Sequence, residues 1–172
     1  YKVVYLQSEF QFTKPRNQSK SAFTNEVRSV FKDSKGTTWV GTKEGVVYLY
    51  SKNNQLLGTL AKDGTIGTGD YLPLSVYGIF EDHNGTIWLS TKGSGIYSLK
   101  RKKVDKYALK NYKKDPNNPY SLSSNAVYNI FEDSMHRLWI STFYGGINIA
   151  DTLNNELRFI NHNNLLRQYP IN

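Results

Sequence analysis

The fold is decided by one stretch, Asn125-Ala-Val-Tyr-Asn-Ile-Phe-Glu-Asp-Ser-Met-His-Arg-Leu-Trp-Ile-Ser-Thr-Phe-Tyr-Gly-Gly-Ile-Asn-Ile149, because the chain writes it two more times. Val27-Arg-Ser-Val-Phe-Lys-Asp33 leads through Gly36 to Trp39-Val-Gly-Thr42 and Gly45-Val-Val-Tyr-Leu49. Val76-Tyr-Gly-Ile-Phe-Glu-Asp82 leads through Gly85 to Trp88-Leu-Ser-Thr91 and Gly95-Ile-Tyr-Ser-Leu99. The copies are offset by 49 and 51 residues, the spacing of Asp, Trp and Thr is the same in each, and all three tryptophans take this one place. Such self-similarity is the mark of a structural repeat.

Each copy reads as four short strands. The first (Val27–Phe31, Val76–Phe80, Val127–Phe131) is apolar on both faces around a small or polar centre, Ser29, Gly78 or Asn129, a pattern expected of a strand buried on both sides. An Asp-x-x-Gly turn follows, in which the carboxylate accepts backbone N–H groups and glycine takes positive φ. The third copy has His136 in the glycine place, so its turn is expected to be different or strained. The second strand (Thr38–Thr42, Ile87–Thr91, Leu138–Thr142) carries Trp and, two places on, Gly41, Ser90 or Ser141; period two puts them on one face, where the small residue leaves room beside the indole. A glycine turn opens the third strand. The fourth is less regular, near Leu56–Ala61, Lys106–Tyr112 and Glu156–Asn161.

Four antiparallel strands in a unit of this length predict an all-β fold of β-propeller blades. A β-sandwich does not repeat itself, and β-solenoid repeats are shorter. About three full blades are expected, at 25–66, 74–112 and 125–161, plus partial ones. Val3-Val-Tyr-Leu6 matches Val46-Val-Tyr-Leu49, so residues 1–24 read as the end of a preceding blade and a linker, and 162–172 as the lead-in to another. The chain thus reads as an incomplete propeller that needs further blades of a longer parent chain, or a second copy, to cover its apolar faces.

The net charge is +8, and eight of the 22 basic residues fall between Lys100 and Lys114. An anion-binding surface is one reading. Charge that keeps an outer edge strand solvated is the favoured one, and no nucleic acid is expected. There is no cysteine, which removes a disulfide framework and a cysteine-based zinc site.

The order Asn-x-Val-x-x-Ile-x-Glu-Asp-x-x-Gly-x-Leu-Trp-Ile-Gly-Thr-x-x-Gly-Gly-Ile resembles the two-component regulator propeller repeat. Asn125–Ile147 matches it nearly throughout, with His136 and Ser141 as departures; Val76–Ile96 lacks the leading Asn; Asn25–Val46 carries Lys32 for Glu and Glu44 for the first Gly. The resemblance implies part of a periplasmic sensor of a membrane-anchored hybrid histidine kinase/response regulator, detecting an oligosaccharide to control polysaccharide-utilisation genes; the alternatives are a propeller scaffold that docks protein without a small ligand and, third, part of a glycan-active propeller enzyme whose catalytic residues lie elsewhere. The kinase parts are not in this chain, so no enzymatic activity is expected of it.

The adjacent pairs Glu81-Asp82 and Glu132-Asp133 point to opposite faces of a strand and cannot act together on one glycosidic bond. Asp33-x-x-Gly-x-x-Trp39 resembles the Asp box of sialidase propellers, but its Asp–Gly gap is one residue longer. His83 and His136 sit in or beside turns of successive blades and are expected to be apart, so no metal site is expected, nor any cofactor. Neither a nucleophile elbow, a P-loop nor a dinucleotide fingerprint is present. In this strand order the loop between strands two and three and the inter-blade loop share one face. Candidate ligand contacts there are Tyr144, Phe143, Lys92, Lys43, Tyr71 and Asn125, since aromatic rings on a polar rim suit a sugar.

Overall fold

The computed structural model describes residues 26–154 and 156–164. The readings made for residues 1–25 and 165–172 lie outside these. Three antiparallel sheets follow one another in chain order. The first holds β1 (Val27–Lys32), β2 (Thr38–Thr42), β3 (Val47–Tyr50), β4 (Leu56–Leu60) and a short β5 (Ile66–Gly67). The second holds β6 (Val76–Glu81), β7 (Ile87–Thr91), β8 (Ile96–Lys103) and β9 (Lys106–Tyr112), and the third β10 (Val127–Glu132), β11 (Leu138–Thr142), β12 (Gly146–Leu153) and β13 (Glu156–Ile160). Each is a meander in which sequence neighbours pair. The first strands β1, β6 and β10 lie side by side and touch from blade to blade, as the innermost strands of a propeller do. No helix occurs among the described residues.

One hydrogen-bond set is repeated in every blade. Oδ1 of Asp33 accepts the amides of Lys35 (3.0 Å) and Thr37 (2.8 Å), while Oδ2 accepts Nε1 of Trp39 at 2.9 Å. Asp82 holds Asn84, Thr86 and Trp88 in the same way, and Asp133 holds Met135, Arg137 and Trp139. Gly36 and Gly85 occupy the left-handed place of this turn (φ 83° and 74°), and His136 takes it too, at φ 60°. The third turn therefore keeps the shared geometry and bears the strain of a side chain there.

The indole so pinned lies between blades. Trp39 is fully buried in a cluster with Leu49 and Leu60 of its own blade and Val76, Leu89 and Leu99 of the next. It meets the ring of Tyr107, on the next blade's outer strand, edge-on at 5.3 Å. Trp88 packs likewise against Val127, Ile130, Leu138 and Phe159 of the third blade. Trp139, on the third blade's far side, is half-buried and stacks on the exposed Phe131.

Two details differ from the sequence reading. The small residue two places after Trp serves the next blade rather than the indole. A Cβ atom at Gly41 would already stand 3.0 Å from Val76, and Oγ of Ser90 donates to the carbonyl of Tyr128 at 3.0 Å. The first strand of the middle blade, which has a described neighbour on each side, carries no exposed residue, with Ile79 packed toward the first blade and Phe80 toward the third; the equivalent Val30 and Phe131 are exposed on the outward faces of the first and third sheets, where no described blade packs. An extra strand, β5, closes the rim of the first blade, whose segment bonds to the second through the amide of Ile66 to the carbonyl of Asp105 (2.8 Å) and that of Tyr107 to Gly64 (2.9 Å).

The Glu of each Glu-Asp pair grips the preceding blade. Glu81 accepts the amide and hydroxyl of Ser34 at 2.6 and 2.7 Å, and Glu132 accepts the amide of His83 at 2.9 Å. Asp and Glu thus do separate jobs, one within the blade and one between blades.

Two measurements check this architecture. Trp88→Ala is expected to lower the unfolding free energy by about 3–5 kcal/mol, and Trp139→Ala by clearly less, in denaturant titrations; equal losses would contradict the inter-blade placement. Burial raises the pKa of Asp133, but bonds from the Trp139 indole, the Arg137 amide and guanidinium and the Met135 amide outweigh it and hold the carboxyl well below the usual range. A depressed folded pKa gives stability that is present above the unfolded value of about 3.9 and lost as pH falls through the folded one. Asp133→Asn is expected to be less stable than the parent at pH 7, the gap closing as the pH falls below about 4.

Candidate functional site

The rim formed by the β2–β3 loop and the inter-blade loop is built alike three times. The amides of Lys43, Lys92 and Phe143 donate to the carbonyls of Glu26 (2.9 Å), Ser75 (2.9 Å) and Ala126 (2.8 Å). These bonds bring the two loops onto one face of the blades.

Just inside that rim each first strand carries a bulge. The pairing of β1 with β2 shifts between Val27 and Ser29, of β6 with β7 between Val76 and Gly78, and of β10 with β11 between Val127 and Asn129. The skipped residues are Arg28, Tyr77 and Tyr128. A bulge re-aims a side chain and ends regular pairing, and these three equivalent side chains meet across the blades. The Arg28 guanidinium lies 5.0 Å from the centre of the Tyr77 ring. Tyr77 and Tyr128 are 5.3 Å apart, Tyr128 meets Phe143 edge-on at 5.7 Å, and Phe143 meets Tyr144 at 4.0 Å. The result is a continuous run of one cation and four rings spanning three blades.

The run is open to solvent. Tyr128 is 45%, Phe143 44% and Tyr144 94% exposed, and Tyr144 adopts φ 58°, a left-handed conformation that costs a side chain energy. Among the described residues Nε of Arg28 is buried without a hydrogen-bond acceptor, and its guanidinium lies over the Tyr77 ring face. Flat π faces beside a cation and phenol hydroxyls can stack on a pyranose ring and bond its hydroxyls.

Of the six candidates read from sequence, the structure joins Phe143 and Tyr144. Lys43 is held by Glu26 at 2.7 Å, and that pairing lowers the pKa of Glu26. Lys92 forms a bridge with Ala126. Asn125 is an inter-blade tie: its side chain accepts the amide of Lys114 at 2.7 Å and its carbonyl accepts those of Gly93 and Gly95. Tyr71 is exposed and stands near Tyr48 of the first blade, whose pKa is raised by burial and by nearby Tyr50, Tyr71 and Glu44. Arg28, Tyr77 and Tyr128 were missed, the two tyrosines because strand positions suggest packing. The available signal was a long side chain directly after the first Val in all three copies.

The basic residues from Lys100 to Lys110 lie on the outer hairpin β8–β9, and Lys113 and Lys114 directly follow it. Lys106 pairs with Asp63, Arg101 donates to the carbonyls of Lys103 and Val104, and Lys110 lies over Tyr112. The histidine expectation needs a larger correction. His83 and His136 are not apart: their rings are 4.0 Å between centres, because neighbouring blades bring equivalent turns together.

The family model for the two component regulator propeller matches residues 21–44, 70–93 and 121–144, one segment per blade. The chain carries two component regulator propeller repeats. Similar solved structures include the extracellular domain of a hybrid two component system of B. thetaiotaomicron, at 24% identity and TM-score 0.62 over 81% of this chain and 17% of that one. A second extracellular domain of such a system from the same organism matches at 22% identity and TM-score 0.62, over 81% and 18%. Virginiamycin B lyase from Staphylococcus aureus matches at 16% identity and TM-score 0.54, over 84% and 43%. At these identities the likeness establishes the propeller fold, and the chain spans less than a fifth of the first two domains. No curated protein matches the chain. Among the described residues no helix is long and apolar enough to cross a membrane.

If the aromatic run is a binding surface rather than core, its loss leaves the fold intact. Tyr128→Ala is expected to cost less than about 1 kcal/mol, and the buried neighbour Ile130→Ala about 2–5 kcal/mol, compared by chemical denaturation.

Proposed function

We propose that this chain is part of the extracytoplasmic sensor propeller of a hybrid two-component system histidine kinase/response regulator, and that the propeller binds an oligosaccharide. The observation that carries the reading is the solvent-open run Arg28–Tyr77–Tyr128–Phe143–Tyr144, set by three equivalent bulges. A guanidinium and four rings spread across three blades match the length of an extended saccharide better than a single small ligand. The repeat family and the extracellular domains that share the fold support the sensor role, with the periplasm as compartment and the parent anchored in the membrane. The ligand's output is regulation of polysaccharide-utilisation genes through kinase parts outside this chain. Binding biases the packing of blades or of two sensor chains, since a ligand shifts an equilibrium only by its differential affinity for the two states. The chain itself performs no catalysis in this reading: Asp82 and Asp133 are committed to Trp88 and Trp139, and Glu81 and Glu132 to the preceding turn.

Thermal denaturation of the complete propeller against a panel of neutral oligosaccharides tests the proposal, with heparin and a DNA duplex as polyanion controls. A ligand at 100 times its dissociation constant stabilises by about 2.7 kcal/mol. One neutral oligosaccharide is expected to raise the melting temperature, and Tyr128→Ala to weaken its binding by at least tenfold. Stabilisation by the polyanions alone, fading with salt, would assign the function to the basic hairpin instead. No response to any of them would leave a protein-docking scaffold as the reading.

A further inference from the structure

Two imidazoles and a carboxylate from two blades converge at the other end of the strands from the aromatic rim. His83 directly follows the Asp of the second blade's turn, and His136 holds the left-handed place of the third. Nδ1 of His83 hydrogen-bonds Oε1 of Glu132, whose Oε2 accepts the His83 amide. Nδ1 of His136 lies 3.8 Å from the same Oε1. One donor atom from each residue lies within 4.8 Å of the others. The side chain of Glu132 is 10% exposed, those of His83 and His136 40% and 61%. The cluster opens into a groove of about 1740 Å³ between blades, also lined by Ser34, Glu81 and Lys102, so an ion and its waters have a route in.

We infer that His83, Glu132 and His136 form a binding site for a divalent transition-metal ion of the zinc class. Two neutral imidazole nitrogens and one carboxylate oxygen are a recognised three-ligand set, with water at the fourth position. Tetrahedral zinc at about 2.0–2.1 Å from each ligand needs donor atoms roughly 3.3 Å apart. The proposed coordination asks the two histidine side chains, 40% and 61% exposed, to rotate to that spacing from donor atoms that already lie within 4.8 Å of one another. The ion takes the place of the His83–Glu132 hydrogen bond and adds His136, so it joins the second blade to the third. His136 itself points the same way. The first and second turns place glycine there at no steric cost, whereas this turn holds an imidazole against a left-handed backbone.

The test is titration of the full chain, freed of metal with a chelator, with Zn²⁺, Ni²⁺ and Co²⁺ at neutral pH. Calorimetry is expected to give one saturable Zn²⁺ site, the melting temperature to rise with Zn²⁺, and Co²⁺ to develop the visible bands of a tetrahedral nitrogen and oxygen environment. His136→Gly and His83→Gln are each expected to weaken Zn²⁺ binding at least tenfold, and His162→Gln to leave it unchanged. His136→Gly carries the decisive weight, because glycine is the residue this turn already uses in the other blades, so its loss of binding is not a loss of fold. Absence of saturable binding by all three metals, or affinity unchanged in both His136→Gly and His83→Gln, would overturn the inference and leave the cluster as a polar contact between blades.

Discussion

The structure depends on one carboxylate held in one place. In each blade the Asp at the end of the first strand closes the following turn with one oxygen and holds the tryptophan indole with the other. A buried indole N–H without an acceptor would cost the desolvation of that group, of the order of 1–3 kcal/mol. With the acceptor supplied six residues upstream, the largest apolar side chain of the blade can be buried facing the neighbouring sheet. Everything else in the packing follows from the position of that ring: the small residue two places on, the valine of the next first strand, and the aromatic side chain of the next outer strand.

Between blades, apolar contact is joined by directional bonds. Glu81 reaches Ser34 and Glu132 reaches His83, each tying the base of one first strand to the turn before it. At the outer edge Gly64, Ile66 and Lys106 link the first blade to the second. The blades are therefore registered at their inner and outer ends as well as through their faces. This registry is what lets residues far apart in sequence form composite surfaces. Both candidate sites are of this kind, one made by bulged inner strands and the other by adjoining turns.

The two ends of the blades differ chemically. The rim of the β2–β3 loops presents rings and one guanidinium, with its lysine nearest the first blade already paired to Glu26. The turn end presents imidazoles, carboxylates and the side chains of the basic hairpin around a wide groove. In the proposed reading, stacking and hydroxyl recognition belong to the first and ion coordination to the second. A sensor can use such a division, since a ligand at one end and an inter-blade tie at the other act on the same packed sheets.

The repeat, the four strands common to each blade and the burial of tryptophan between sheets were legible in the sequence, because period-two patterning and turn residues are local properties. The second strands were placed to the residue for the same reason, with Thr38–Thr42, Ile87–Thr91 and Leu138–Thr142 all observed. Phe143 and Tyr144 were legible as rim residues because the loop that carries them is set by its own blade. What the tertiary structure decided is whatever depends on the lateral offset of one blade against the next. Tyr77 and Tyr128 occupy strand positions that packing alone would explain, and only the bulges aim them, with Arg28, across blades. His83 and His136, 53 positions apart in the chain, looked separate until adjoining turns set their rings 4.0 Å apart. Sequence spacing records the path along the strand, and the distance between equivalent points of neighbouring blades is set by inter-sheet packing, which no local pattern encodes.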